Sequence, residues 1–460
     1  MKPEDILDAI GETDDSIIES SDLPPKATMH RKKTAWISAI AAMLVLSLVL
    51  GSFLLPDKQT PFSAYALAEA EYPNGIPSQE LRKEFRQSDI DINSFIKKTL
   101  EVFFQNSQNE NRIISPLNLF MALSMLAEIT EGETRAEILD LLDVDNIETL
   151  RKQASTLWRG NYSDDGVITS VLASSVWLRN DISYQEETIK RLADIYYASS
   201  FSGEMGSNNY NEMLQDWLNK ETGGLLNDSI SNIETDPNTV ILLATTVLFQ
   251  AKWGNEFSKS ETAKGVFYAP NQEIKCDFMN ESGYDTYYWS ETFSAIKKEL
   301  SAEYANCGMW FILPDEGVQA EELFSNENAL QFILSNGDWE NNKYLKVNFS
   351  VPKFDVSSDI DLKKTIQNLG VNLAFNSRES DFSALTKETL PIEVSSIDHN
   401  VRVTIDEEGC TAAAMTTVPT AGCPAPLDEE VDFVLDRPFL FVITSDVGLP
   451  LFVGTVNQPQ

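Results

Sequence analysis

The chain offers few groups able to do covalent or metal chemistry. Its 460 residues contain two histidines, His30 and His399, and four cysteines, Cys276, Cys307, Cys410 and Cys423. Nucleophilic catalysis needs an imidazole or an equivalent base beside a serine or cysteine. His30 sits in a basic N-terminal cluster, which leaves His399. That residue follows Ile397-Asp398 between two strand-like runs, has no nucleophile elbow near it, and reads as a hydrogen-bonded structural histidine. No two cysteines have the spacing of a zinc ribbon or a redox pair, and their pairing is open. HExxH, P-loop and GxGxxG patterns are absent. Acidic pairs such as Glu407-Glu408 are frequent at this composition and carry no signal for acid–base work. Nothing here supports an enzyme, a metal centre or a cofactor.

One stretch stands apart from the rest. From Gly409 to Leu427 the chain carries no charge, although it is highly charged elsewhere. Cys410, Thr411, Ala412, Ala413, Ala414, Met415, Thr416, Thr417 and Val418 are small or strand-competent, whereas Pro419, Gly422, Pro424 and Pro426 break both helix and strand. The composition suits an uncharged surface loop. It also suits a segment that is a loop in one state and a strand in another, because small residues enter a crowded sheet without clashes.

Length and composition frame these features. The chain is long enough for one large domain or two ordinary ones. Asp and Glu outnumber Lys and Arg by 71 to 35, giving a formal charge of −36, which argues against nucleic-acid binding because phosphate affinity needs Lys and Arg. Residues 1–33 are polar and end in Arg31-Lys32-Lys33. Thr34 to Leu55 is uncharged, suits a transmembrane helix, and carries Trp36 where an interface anchor belongs. The positive-inside rule places residues 1–33 in the cytoplasm and everything after Pro56 outside. Prolines punctuate residues 56–90, which read as a stalk.

The folded domain is expected over 91–460. Ile92, Phe95, Ile96, Thr99, Leu100 and Phe103 recur at helical spacing. Ser115 reads as the cap of a buried helix from Leu117 to Ile129, and Thr134 to Glu137 as a capping box. Apolar runs at 168–178 and 239–249 read as sheet interior, while 184–197 and 211–220 read as helices. From Phe267 onward strands dominate, including separate strands at 392–397 and 401–405. Early helices with later strands give an α+β class.

Several motifs, in order, resemble the serpin family from about residue 91 to the end. They are Asn111-Arg112-Ile113-Ile114-Ser115-Pro116, Gly132-Glu133-Thr134 with Glu137-Ile138-Leu139, and Phe249-Gln250-Ala251-Lys252-Trp253. Leu313-Pro314-Asp315-Glu316-Gly317, Val351-Pro352-Lys353-Phe354, Asp381-Phe382-Ser383, Glu407-Glu408-Gly409, Arg437-Pro438-Phe439 and Pro450-Leu451-Phe452-Val453-Gly454 follow, with His399 among them. The resemblance implies a serpin fold, with a large central sheet and smaller ones. It implies a suicide inhibitor, acting as a monomer, whose loop is attacked by a serine protease and then inserts into the central sheet with the protease attached. With residues 34–55, it implies a bacterial, membrane-anchored inhibitor outside the cell.

The resemblance also assigns residues. Glu407, Glu408, Gly409, Cys410, Thr411, Ala412, Ala413 and Ala414 form the hinge of the reactive loop. Trp253, Lys353 and Glu407 lie at the breach, where the sheet opens, with Lys353 and Glu407 paired. Ser115, Asn118, Thr245 and His399 form the shutter. Thr245 stands where the family usually has Asn, and Asn118 where it usually has Ser, so Asn118 is expected to supply the amide partner of His399. Counting from the hinge puts the scissile bond at Cys423-Pro424; counting back from Arg437 puts it at Leu427-Asp428. The small or aliphatic residues here point to an elastase- or subtilisin-like target. A non-inhibitory serpin acting as a binding module, or a membrane signalling protein working through residues 1–33, are the competing readings.

Overall fold

The computed structural model describes residues 64–73, 76, 78–105, 109–164, 166, 168–225, 233–300, 307–410 and 429–459. Residues 1–33, the apolar run 34–55 and the start of the expected stalk lie outside these. None of the described helices is long and apolar enough to cross a membrane.

The chain opens with strand β1 (Tyr65–Ala68) and helices α1 (Ser78–Arg86) and α2 (Asn93–Phe104). Strand β2 (Arg112–Ile114) leads into α3 (Pro116–Ile129), α4 (Gly132–Leu141) and α5 (Ile147–Asn161). Next come β3 (Ser163–Asp164), β4 (Ile168–Arg179), α6 (Glu186–Tyr196), β5 (Ala198–Gly203) and α7 (Asn208–Glu221). Strands then dominate: β6 (Ile241–Lys252), β7 (Ala263–Ala269), β8 (Gln272–Trp289), β9 (Phe293–Glu299) and β10 (Gly308–Pro314). Helix α8 (Glu327–Ser335) precedes β11 (Asn342–Pro352) and β12 (Phe354–Asp361). After α9 (Lys363–Asn368) come β13 (Val394–Ile405), β14 (Gly409–Cys410), β15 (Glu430–Val434), β16 (Phe439–Thr444) and β17 (Pro450–Val456).

These strands build two sheets. The large one runs β1-β5-β4-β6-β14-β13-β12, with β3 on β4. The second runs β15-β11-β8-β9-β10-β16-β17-β2, with β7 on β8. Helix α3 is apolar almost all round, and every one of its residues is buried, Asn118, Ser124 and Glu128 included. It packs on β4 and β6 from one side and on β17 from the other, so it joins the two sheets.

Three expectations need correction. The stalk reading fails where the structure describes it, because β1 extends the large sheet and α1 packs on α5. Proline punctuation misled here. The Tyr72 ring packs at a tilt 5.2 Å from Trp158 and its hydroxyl donates to Glu221 at 3.0 Å, and Leu81 is fully buried, so this segment has apolar anchors of its own. The two strands expected at 392–397 and 401–405 are one continuous strand, since the intervening His399 and Asn400 are buried and paired to β12 and β6. The capping box at Thr134 does not cap. Helix α4 starts two residues earlier, and the Thr134 hydroxyl accepts from the Asp381 amide while Glu137 accepts from the amides of Asn372 and Leu373.

Candidate functional site

The site is the seam of the large sheet between β6 and β13. These strands pair in parallel from Val394 opposite Ile241 to Asn400 opposite Thr246. Beyond that point no ladder pair joins 247–250 directly to 401–404, although both stretches stay paired on their outer sides to β4 and β12. At the open end β14 sits between them. Cys410 pairs with Ala251 on one side and Ile405 on the other, and Gly409 pairs with Lys252. A Cβ on Gly409 would lie 2.3 Å from the Ala251 carbonyl oxygen and 2.7 Å from Lys252 Cα, so only glycine fits.

The entrance is held by a dense set of bonds. The indole of Trp253 donates to the Asp406 carbonyl at 2.7 Å, and its backbone amide donates to the Glu408 carbonyl at 3.2 Å. Glu407 is 6% exposed; its carboxylate receives Lys353 Nζ and the Thr262 hydroxyl, each at 2.7 Å. Burial pushes the Glu407 pKa up, but the bonds from Lys353 and Thr262 outweigh it and hold the group below the ordinary carboxylate value. Thr262 left no mark in the sequence, because a lone threonine ahead of a strand has no pattern. Glu408 is half-buried and pairs with Lys259 at 2.6 Å.

A depressed carboxyl pKa contributes stability above its unfolded value and loses it as pH falls through the folded one. Replacing Lys353 by Met should therefore cost about 2 kcal/mol at pH 7, by leaving a buried carboxylate short of a donor. Urea unfolding at pH 7 and pH 3 checks this, since the penalty should fade once Glu407 is protonated.

The shutter lies lower on the seam. His399 is fully buried. The Ser115 amide donates to Nε2 at 3.1 Å, which leaves Nδ1 as the protonated nitrogen, 3.1 Å from the Thr245 hydroxyl. That hydroxyl in turn donates to the Asp398 carbonyl at 3.3 Å. Burial lowers the His399 pKa to about 4, so the ring is neutral at pH 7. Ser115 also caps α3, accepting from the Asn118 amide at 3.3 Å.

Asn118 does not serve as expected. Both ring nitrogens of His399 are already taken, and neither Oδ1 nor Nδ2 of Asn118 has a partner among the described residues. Thr245 supplies the bond by itself, because its short side chain lies on the strand residue directly opposite His399.

Thr411, Ala412, Ala413, Ala414, Cys423, Pro424, Leu427 and Asp428 lie outside the described residues. Cys276 and Cys307 are free and buried, and Cys410 is buried at the hinge.

Residues 91–459 match the family model described as serpin, serine protease inhibitor. Alpha-1-antitrypsin 1-4 of Mus musculus is 27% identical over 379 residues, covering 80% of this chain and 88% of that protein. Alpha-1-antiproteinase of Rattus norvegicus is 25% identical over 404 residues, covering 85% and 94%. Among solved structures, native tengpin, a thermophilic serpin, aligns with a TM-score of 0.71 at 25% identity, covering 86% of this chain and all of that one. Human thyroxine-binding globulin aligns with a TM-score of 0.69 at 21% identity, covering 83% and 99%, a likeness of fold. The chain belongs to the serpin family, described as serine protease inhibitors, and is not an enzyme.

Proposed function

We propose that this chain is a bacterial, membrane-anchored suicide inhibitor of extracellular serine proteases of the elastase or subtilisin type. The observation behind the trapping step is the seating of Gly409 and Cys410 as a strand between β6 and β13 while those strands stay paired below. A loop that has already entered the sheet needs only to continue. The protease serine attacks a loop carbonyl, the peptide C–N bond breaks, the new amine leaves, and an ester links loop and enzyme. The freed loop then adds ladder bonds down the seam, and the attached protease is displaced before water reaches the ester. This chain contributes binding and movement and no catalytic group or cofactor.

The alanines at 412–414 support rapid insertion, and the absence of Lys and Arg from Gly409 to Leu427 argues against trypsin-like targets. The membrane anchor and the outside location rest on the uncharged run 34–55 behind Arg31-Lys32-Lys33.

Mixing the part after residue 56 with elastase or subtilisin should give a band near the summed mass on a denaturing gel. Sequencing the released fragment then decides between Cys423-Pro424 and Leu427-Asp428. Rapid loop cleavage by both enzymes with no such band, together with a large gain in stability of the cut product, would exclude these targets. Cleavage with no gain in stability would exclude trapping and favour the binding-module reading.

A further inference from the structure

A groove away from the seam lies between α6 and the N-terminal segment that begins with β1. Its volume is about 1260 Å³. That exceeds the roughly 300–1,000 Å³ of most small-molecule sites, so a segment of chain fits it better than a metabolite. One wall is formed by Tyr65 and Leu67 of β1 with Glu69 and Glu71 just beyond it. The other is a stripe of α6, from Glu186 through Ile189, Lys190, Ala193 and Asp194, with Tyr197 just past its end. Spacings of three and four put these residues on one side of the helix. Strand β1 precedes residues 91–459, so one wall comes from the part of this chain that lies outside the family match.

The lining is of two kinds. Leu67, Ile189, Ala193 and Tyr197 give it apolar surface, and Tyr65 adds an exposed ring. Glu69, Glu71, Glu186 and Asp194 are all exposed along it. None of these four carboxylates has an ion-pair partner among the described residues. Nearby guanidiniums are engaged elsewhere: Arg179 pairs with Asp181 and Arg191 with Glu128, each at 2.5 Å. Lys190 is the single cation among the lining residues. Four carboxylates against one ammonium make the groove negative, so an occupant must bring apolar surface and positive charge together.

We propose that this groove docks a partner protein through a basic amphipathic helix. Glu186 to Tyr197 spans about 17 Å, the length of roughly three helical turns. The occupant's apolar stripe packs on Leu67, Ile189 and Tyr197. Lys or Arg residues flanking that stripe meet Glu69 and Glu71 on one wall and Glu186 and Asp194 on the other. The inference goes beyond protease inhibition and stands without the insertion reading.

The probe is a synthetic Leu/Lys helix with its leucines in one stripe, followed by fluorescence anisotropy. It is titrated with Phe62–Gln460, which form a compact unit of their own. Physiological ionic strength screens the general attraction of an acidic chain. Binding should saturate. Glu69→Lys with Glu71→Lys should weaken it roughly tenfold or more, while the same charge change at the exposed Glu291 and Glu340, outside the groove, should weaken it about twofold at most. Tyr65→Ser, at an exposed position, should weaken it several-fold by removing apolar contact. Thermal melts check that each variant stays folded. Equal weakening by the two charge pairs would show attraction to the whole surface and overturn the site. Equal binding of a peptide with Glu in place of Lys, or no saturable binding of the Lys peptide, overturns it as well.

Discussion

Replacing Ala412 by Arg is expected to convert the inhibitor into a substrate. Cys410 is buried as it enters between β6 and β13, and side chains alternate along a strand, so a loop inserted as proposed would bring residues 412 and 414 onto the face that Cys410 takes. Insertion would drag the guanidinium under the sheet beside α3, every residue of which is buried. Taking an ion into such a place costs several kcal/mol, and about 4 kcal/mol corresponds to roughly a thousandfold slowing. Hydrolysis of the ester does not slow, so it overtakes insertion. The number of inhibitor molecules consumed per protease molecule should rise at least tenfold, and the high-mass band should give way to cut inhibitor. Ala413→Arg, on the alternate face, should do far less. Full trapping by Ala412→Arg would show that the hinge has been placed wrongly.

The second large effect is in acid. His399 has a folded pKa near 4, below its unfolded value of about 6.5. Between those values the unfolded chain binds the extra proton, so His399 contributes stability at pH 7 that is lost on acidification from about 6.5 towards 4. Asp398, its neighbour on β13, runs the other way. Burial, with some repulsion from Asp361 and Asp359, raises its pKa to about 6, so over that window it is the folded state that holds the proton. The two slopes oppose each other across roughly pH 4–6. Asp398→Asn removes one of them. The variant should then lose about 3 kcal/mol between pH 7 and pH 4 relative to the unaltered protein. Guanidinium unfolding at half-unit pH steps gives the comparison. Parallel curves for the two proteins would mean that Asp398 is not titrating as its burial requires.

Much of the seam was legible from residue types. Ser115 before Pro116 and a run of apolar residues could hardly be anything but the capped start of a buried helix. Gly409 opens an uncharged run of small residues suited to entering a crowded sheet, and a Cβ there would lie only 2.3 Å from the Ala251 carbonyl oxygen. Other parts had no local signature. The polar pair His399-Asn400 looks like a turn between strands until partners on both sides supply its hydrogen bonds. Residues 64–90 carry enough proline to look like a linker, and only Trp158 and Glu221, far along the chain, make Tyr72 an anchor. The Asn118 error has the same origin. An amide near a histidine is an obvious pair on paper, but a backbone N–H and a threonine had already filled both ring positions.

The direction of β1 has a practical consequence. Tyr65 lies opposite Ser202 and Ala68 opposite Ser200, while β5 runs alongside β4 and β4 runs against β6. Followed across the sheet, this puts the start of β1 at the Ile241 end, away from the end where Gly409 enters. On the insertion reading proposed above, a loop extending down the seam would finish near the Ile241 end, and its passenger would arrive where residue 65 begins. Engineers adding an affinity tag or reporter protein just ahead of Ala64 would be parking it in the landing zone. A bulky fusion there should crowd out the captured enzyme, whereas a short tag leaves the space open.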